Sequence, residues 1–109
     1  MRAKKKILGE HILQEIVRRI VAAVQPEKII LFGSAARGEM GSDSDLDFLI
    51  ITACGHRRRT ARKIRRGLIG IGFPIDLIVA KPEDIERYGD EIGLIYRPAL
   101  KEGKVLYAA

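Results

Sequence analysis

The sequence predicts an α+β protein in which short apolar strands alternate with amphipathic helices. Apolar residues recur at spacings of three and four along residues 4–24, which is the period of one helix face. Three apolar, largely β-branched runs follow at 28–32, 45–52 and 73–80, the pattern of buried strands. The predicted order is helix, strand, strand, helix, strand, helix. The 109 residues of the chain are expected to form a single domain, residues 1–109.

Proline and glycine set the boundaries in the first half of the chain. The first helix is expected to end before Pro26, and the first strand lies between Pro26 and Gly33. Residues 33–38 offer a turn, a hydroxyl cap and one short helical turn. The polar residues 39–44 are expected to form a loop before the second strand.

The second half of the chain is expected to continue with a charged helix over residues 57–68, which has its apolar residues on one side and ends at the glycines that follow. Pro82 suits a first helical turn and is followed by Glu83 and Asp84, so it opens the next helix. For the tail we predict a helix over 90–101 and a short strand over 104–107.

Several classes of protein are disfavoured by composition. The longest apolar runs, IILF at 29–32 and FLII at 48–51, are far shorter than the roughly 20 residues that span a bilayer. The basic N-terminus is followed by an interrupted apolar stretch, unlike a secretory signal. Cys54 is the only cysteine, which excludes an internal disulfide and a cysteine zinc cluster. We therefore expect a cytoplasmic protein that does not bind membranes.

Positive charge is concentrated in one segment. The formal net charge is +6, and much of the excess lies in residues 56–66. Such a segment suits either a nucleic-acid-binding surface or a solvated helix face. We favour the solvated face, with an acidic protein partner as the next interpretation, and do not expect direct nucleic-acid binding.

Two aspartates share one side of the second strand. Residues two apart in a strand point the same way, so Asp45 and Asp47 lie on one face and Leu46 and Phe48 on the other. Two adjacent carboxylates repel each other, and a divalent cation relieves that repulsion. Oxygen ligands of this kind suit Mg²⁺ or Mn²⁺.

A third carboxylate interrupts the next strand. Asp76 lies inside the otherwise apolar run 73–79, and a lone buried carboxylate is costly unless it is paired or binds a metal. If the third strand lies beside the second, Asp76 completes a cluster of three carboxylates. Such a cluster can hold two ions about 3.5 to 4 Å apart. The alternative is a salt bridge between Asp76 and one of the arginines.

The turn after the first strand is a candidate phosphate site. Gly33 lets the backbone approach a ligand, and the helical turn that follows presents free N–H groups to an anion. Ser34 adds a hydroxyl donor, and Arg37 lies within reach of the same phosphates. Each motif has a simpler interpretation, since Gly-Ser is often only a helix cap and Asp-x-Asp is common in metal-free loops. Asp43 also forms an Asp-x-Asp with Asp45, but it falls in the predicted loop.

The combined order of these motifs resembles a known signature. Gly33-Ser34, ten residues, then Asp45-Leu46-Asp47 is similar to the signature of the polymerase-beta-like nucleotidyltransferase superfamily. Within it, LFGSAARGEMGSDSDLDFLI at 31–50 looks like the minimal nucleotidyltransferases, the MNT or MntA group. The resemblance implies a small mixed β-sheet with helices packed mainly on one face. It also implies that Ser34 contacts the triphosphate, that Asp45 and Asp47 hold metal ions, and that Asp76 is the third carboxylate.

The same resemblance implies an activity and a partner. Members of this group are often the antitoxin of a pair whose toxin is a HEPN-domain ribonuclease, and some transfer AMP from ATP to a tyrosine hydroxyl of that toxin. The expected cofactor is Mg²⁺, as two ions, with Mn²⁺ as the alternative. His11 and His56 have no suitably placed arginine before them, so the ribonuclease is expected to be another chain.

Two further functions remain open from the sequence. The chain can neutralise a toxin by forming a complex, with slow or absent transfer, because the basic helix offers a docking surface. Alternatively, it can transfer nucleotides to a small molecule or to RNA, although relatives of that kind usually carry an additional domain for the acceptor.

Overall fold

A computed structural model of the chain describes residues 9–33, 36, 45–88 and 102–109, with residues 87 and 88 described by their backbone alone. These residues form three helices and four strands, and the predicted α+β class is confirmed. In chain order they are α1 (Glu10–Val24), β1 (Lys28–Phe32), β2 (Leu46–Ile51), α2 (Arg57–Gly67), β3 (Ile75–Ala80), α3 (Pro82–Tyr88) and β4 (Lys104–Ala108). The predicted helix over 90–101 and the predicted helical residues 4–8 lie outside the described residues.

The four strands form one mixed sheet in the order β3-β2-β1-β4. β1 runs antiparallel to both of its neighbours, β2 and β4, whereas β2 and β3 are parallel. Parallel neighbours need a crossover connection, and α2 lies within it. The start of β2 and the start of β3 therefore lie side by side at the same edge of the sheet, the edge formed by the ends of the strands.

Alternation along the strands divides the core between the two faces of the sheet. One face packs against α1 and α2, and its buried residues are Ile16, Ile20, Ile29, Leu31, Leu46, Phe48, Ile50, Ile64, Leu68 and Val79. The other face has a smaller buried cluster, Ile30, Leu49, Ile51 and Ala80, against which Ile85 of α3 packs. The prediction of helices mainly on one face is confirmed, with α3 contributing to the other.

The strand boundaries differ slightly from the sequence prediction. β3 begins at Ile75 rather than residue 73, because Pro74 has no N–H to donate to the sheet. The carbonyl of Pro74 instead accepts a hydrogen bond of 2.9 Å from the N–H of Leu46. That bond aligns the first residues of the two parallel strands.

Helices α1 and α2 are joined by a network of side-chain bonds. Nε of Arg19 donates to Oε2 of Glu15 at 2.8 Å, and Nη1 of Arg19 donates to the carbonyl of Ile69 at 3.0 Å. Hydrogen bonds from Arg18 and Arg19 lower the pKa of the Glu15 carboxyl to about 2. The turn after α2 is thereby fixed against α1.

Within the described residues, no helix is both long and apolar enough to cross a membrane.

The packing of α1 on the sheet predicts the cost of a small cavity. Ile20 is fully buried, so Ile20→Val should lower the free energy of unfolding by about 1 kcal/mol through lost burial and packing. Urea denaturation measures this as a lower midpoint at an unchanged slope. The same substitution at Ile69, which is 75% exposed, should leave the midpoint in place. Equal losses at the two positions would contradict the burial of Ile20.

Candidate active site

Asp47 and Asp76 are direct neighbours in the sheet. They are register partners in the parallel β2–β3 pair, and neighbouring strands lie about 4.8 Å apart. Partners in a parallel pair point to the same face. The residues beside them, Leu46 and Phe48, are buried on the opposite face under the helices. The two carboxylates therefore lie side by side on the face opposite α1 and α2.

Asp45 lies immediately before β2 and is exposed. Asp76 is also exposed, whereas Asp47 is half-buried between the neighbouring strands. The condition on which the three-carboxylate cluster was predicted, that the third strand lies beside the second, is met by the β2–β3 pair. Among the described residues, Asp76 forms no ion pair with an arginine.

The electrostatic consequence appears at Asp47. Burial, and then the negative charges of Asp76 and Asp45, raise the pKa of the Asp47 carboxyl above its usual value. Each of these effects disfavours the ionised form. A positive ion next to the three carboxylates would reverse the balance, because it favours ionised oxygen ligands.

Gly33 completes the described part of this site. It follows β1 directly and has a φ of +76°, a conformation that favours glycine. The last residue of β1, Phe32, is the register partner of Asp47. A Cβ at position 33 would overlap Oδ2 of Asp47 and lie 3.3 Å from its Cγ. The absent side chain therefore makes room for a carboxylate, a role that the sequence motif did not reveal because it depends on strand register.

The carboxylates have the chemistry that a magnesium site requires. Mg²⁺ usually binds through one or two carboxylates, with substrate phosphates and water completing its shell. In the described segments, no three acidic, histidine or cysteine side chains converge on one point as a metal-binding group. The side-by-side pair Asp47 and Asp76, with Asp45 close enough to affect Asp47, still provides the two carboxylates that this cation needs.

The predicted phosphate-binding residues are only partly visible. Gly33 is described, whereas Ser34 and Arg37 lie outside the described residues, as does the loop residue Asp43. The contact of Ser34 and Arg37 with a triphosphate therefore stays a prediction. Gly33 and the paired carboxylates lie at the same edge of the sheet, where β1 ends and β2 and β3 begin.

The mixed sheet and its family match define the class of this protein as a nucleotidyltransferase. Residues 12–105 match the family model described as the nucleotidyltransferase domain. The match spans most of the chain, and the chain belongs to the nucleotidyltransferase domain family. No curated protein matches the sequence.

Three solved structures share the fold at low sequence identity. A candidate nucleotidyltransferase from Sulfolobus solfataricus superposes with a TM-score of 0.60 at 20% identity, covering 90% of this chain and 78% of that one. A toxin–antitoxin structure with AMP-PNP gives 0.67 at 17% identity, with 88% and 73% covered. A mutant of the toxin–antitoxin MntA-HpeT gives 0.63 at 16% identity, with 94% and 75% covered.

Proposed function

We propose that this nucleotidyltransferase transfers AMP from ATP to a hydroxyl of a partner protein, as the antitoxin of a HEPN toxin pair. The observation that carries the proposal is the pairing of Asp47 with Asp76 on one face of the sheet. It supplies two adjacent oxygen ligands at the edge where the Gly33 turn would receive a triphosphate.

Asp45, Asp47 and Asp76 would hold the Mg²⁺ ions of this reaction, with Mn²⁺ as a substitute. The metal would neutralise charge on the triphosphate and lower the pKa of the attacking hydroxyl. Backbone N–H groups after Gly33, with Ser34 and Arg37, would hold the phosphates in place. Asp76 is more exposed than its neighbour Asp47, and its carboxylate would accept the proton of the attacking hydroxyl.

The transfer step is a single displacement. The acceptor oxygen forms a bond to the α-phosphorus while the bond from that phosphorus to the bridging oxygen breaks. Pyrophosphate leaves, and the proton passes from the acceptor hydroxyl to the carboxylate of Asp76. The work of the protein is positioning and charge stabilisation.

Two structural relatives support the proposed nucleotide substrate and the proposed protein partner. One is a toxin–antitoxin structure with AMP-PNP, an analogue of ATP, and the other is a mutant toxin–antitoxin structure. By analogy, a toxin would be the acceptor of this chain. The HEPN character of that toxin rests on the resemblance of residues 31–50 to the MNT group.

The test uses ATP labelled at the α-phosphorus, Mg²⁺ and the protein encoded beside this chain. We expect the partner to be labelled, and Asp45→Ala with Asp47→Ala to reduce the rate by about a thousandfold or more, as expected when metal stabilisation of several kcal/mol is lost. The control double variant Glu27→Ala with Glu83→Ala removes two exposed carboxylates outside the cluster and should keep the rate. Labelling from γ-labelled ATP, or labelling that survives loss of both aspartates, would refute the proposal.

A second candidate function is neutralisation by binding alone. The exposed basic surface of α2 favours it, because such a surface suits a docking partner. In that case the double alanine variant should still neutralise the toxin. Loss of neutralisation with the complex intact would favour transfer, and labelling of RNA or a small molecule without any partner would favour a different acceptor.

A further inference from the structure

Helix α2 carries positive charge that its own sequence does not balance. Residues Arg57–Gly67 contain seven arginine and lysine residues and no acidic residue. The formal net charge of the whole chain is +6, so the rest of the chain is net negative. The seven cations of α2 therefore account for the net positive charge of the chain.

Two of these cations have structural partners. Nη1 of Arg57 lies 3.1 Å from Oδ2 of Asp84, and Nη1 of Arg65 donates to the carbonyl of Ile75 at 3.1 Å. The other five side chains are exposed and form no ion pair with a described residue. We call these five the basic face, which consists of Arg58, Arg59, Arg62, Lys63 and Arg66.

The basic face works against the helix that carries it. Arg58, Arg62 and Arg66 are spaced four apart, and like charges at that spacing destabilise a helix. The arginines of the first turn also oppose the positive end of the helix dipole. Packing requires none of them, because Ile64 and Leu68 attach the helix to the core. A surface that opposes local folding and has no ion-pair partner among the described residues points to a ligand outside the chain.

The helix presents this surface in a fixed position. Ile64 is fully buried, His56 accepts a hydrogen bond from the N–H of Arg59 at the first turn, and Arg19 holds the turn after the helix. A partner that docks here meets an ordered surface and loses less entropy on binding. A cleft of about 330 Å³ between Lys81 and the residues Gly55–Arg58 extends the positive surface at the first turn.

The last turn of α2 reaches the edge of the sheet that carries the carboxylates. Arg65 donates a hydrogen bond to the carbonyl of Ile75, and Ile75 directly precedes Asp76 in β3. The helix lies on the face opposite Asp47 and Asp76, so a partner along it would not cover the metal-binding side. A segment of that partner could pass around this edge to the candidate active site.

The chemistry of the surface favours a protein over a nucleic acid. Arginine binds carboxylates and phosphates alike through two parallel hydrogen bonds, so the other side chains of the surface decide between these partners. α2 has no aromatic residue on which a base could stack. Ile69, two residues after the end of the helix, is 75% exposed, and exposed apolar side chains together with arginine are typical of protein interfaces.

We propose that the basic face and Ile69 dock an acidic surface of the acceptor protein and direct its hydroxyl to the Asp47–Asp76 edge. This inference rests on the proposed function in one respect, that the acceptor is a protein. Docking and transfer use different residues, so they can be tested separately.

The test compares two doubly substituted full-length proteins that differ from the wild type by the same charge. Arg62→Glu with Lys63→Glu reverses the centre of the basic face and creates favourable pairs with Arg58, Arg59 and Arg66 at helix spacing, so the helix should remain folded. The control, Lys28→Glu with Lys104→Glu, changes β1 and β4. The probes are a labelled glutamate-rich helical peptide about as long as α2 and a single-stranded RNA of the same net charge, at about 0.15 M salt.

We expect the peptide to bind the wild type more tightly than the RNA. The α2 variant should weaken peptide binding by about tenfold or more, and the control by less than about twofold. Ile69→Ser should weaken it without a change of charge. Binding of a fluorescent ATP analogue with Mg²⁺ should be the same in all of these proteins.

Equal losses in the α2 variant and the control would overturn the proposal, because they would indicate long-range charge rather than a surface. Absence of peptide binding by the wild type would also overturn it. Tighter binding of the RNA, lost in the α2 variant, would assign the face to nucleic acid instead. Failure of the proposed transfer has a different signature, namely an acceptor that binds through α2 and is never labelled.

Discussion

Replacing Asp47 by asparagine is expected to stabilise the metal-free protein while reducing nucleotidyl transfer by about a thousandfold, the effect of losing several kcal/mol of metal stabilisation. Burial and the charges of Asp76 and Asp45 disfavour the ionised Asp47 carboxyl, and asparagine removes that penalty. Stabilising substitutions commonly add about 0.5 to 2 kcal/mol, and their usual cost is lost function. Urea denaturation in EDTA and the α-label assay measure the two effects.

The pH dependence of this gain has a definite sign. The pKa of Asp47 is higher in the folded protein than in the unfolded chain, so the folded state is penalised when the pH lies above the raised pKa. The penalty disappears as the pH falls through that value and the carboxyl takes up a proton. The stability advantage of Asp47→Asn should therefore be largest near neutral pH and shrink toward about pH 4, where an unperturbed aspartate titrates.

Asp84 provides the matched control. It is an aspartate on α3 whose carboxylate lies 3.1 Å from Nη1 of Arg57, so its charge is favourable rather than repelled. Asp84→Asn should not raise stability and should leave transfer unchanged. A less stable Asp47→Asn protein, or an equal gain at Asp84, would contradict the electrostatic description of the site.

Gly33→Ala is expected to lower both stability and activity, for two separable reasons. The φ of +76° costs a residue with a Cβ about 1 to 2 kcal/mol. The new methyl group would also overlap Oδ2 of Asp47, and overpacking of this kind typically costs about 1 to 3 kcal/mol more. Displacement of the carboxylate by about 1 Å is enough to reduce the rate roughly a hundredfold.

Gly70 separates the two causes. Its φ is +87°, but nothing lies within 4 Å of a Cβ built there, so Gly70→Ala carries the backbone cost alone. Chemical denaturation should show a larger loss for Gly33→Ala, and Asp47→Ala in the same chain should recover part of the difference, as a double-mutant cycle measures. Equal losses at both glycines would mean that Gly33 is needed only for its backbone.

Much of the local structure followed from short stretches of sequence. Strand β1 was predicted with the bounds that the structure has, because Pro26 and Gly33 stop regular structure on either side. The buried side of α2 was predicted from the spacing of Ala61, Ile64, Leu68 and Ile69. The first three pack on the core, whereas Ile69 lies beyond the end of the helix and is 75% exposed. The second strand was predicted over 45–52 and is one residue shorter at each end, and the start of β3 was placed two residues too early, since Pro74 cannot donate to a neighbouring strand.

The candidate site shows where such reasoning stops. The sequence identified Asp45, Asp47 and Asp76 as chemically unusual, because charged residues interrupt apolar strands. From the sequence alone, a cluster of all three carboxylates could be predicted only on the condition that β2 and β3 are neighbours. The parallel register that pairs Asp47 with Asp76 is a property of the sheet, and so is the contact that requires glycine at position 33.

The sequence by itself determined the described elements and their order, and it singled out candidate residues for a cation and a triphosphate, because periodicity and breaking residues act over a few positions. The tertiary structure decided which carboxylates face each other, which face of the sheet they occupy, and that the cations of α2 lie on the other face. These relations join residues far apart in the chain, and they depend on strand order and packing rather than on any local pattern.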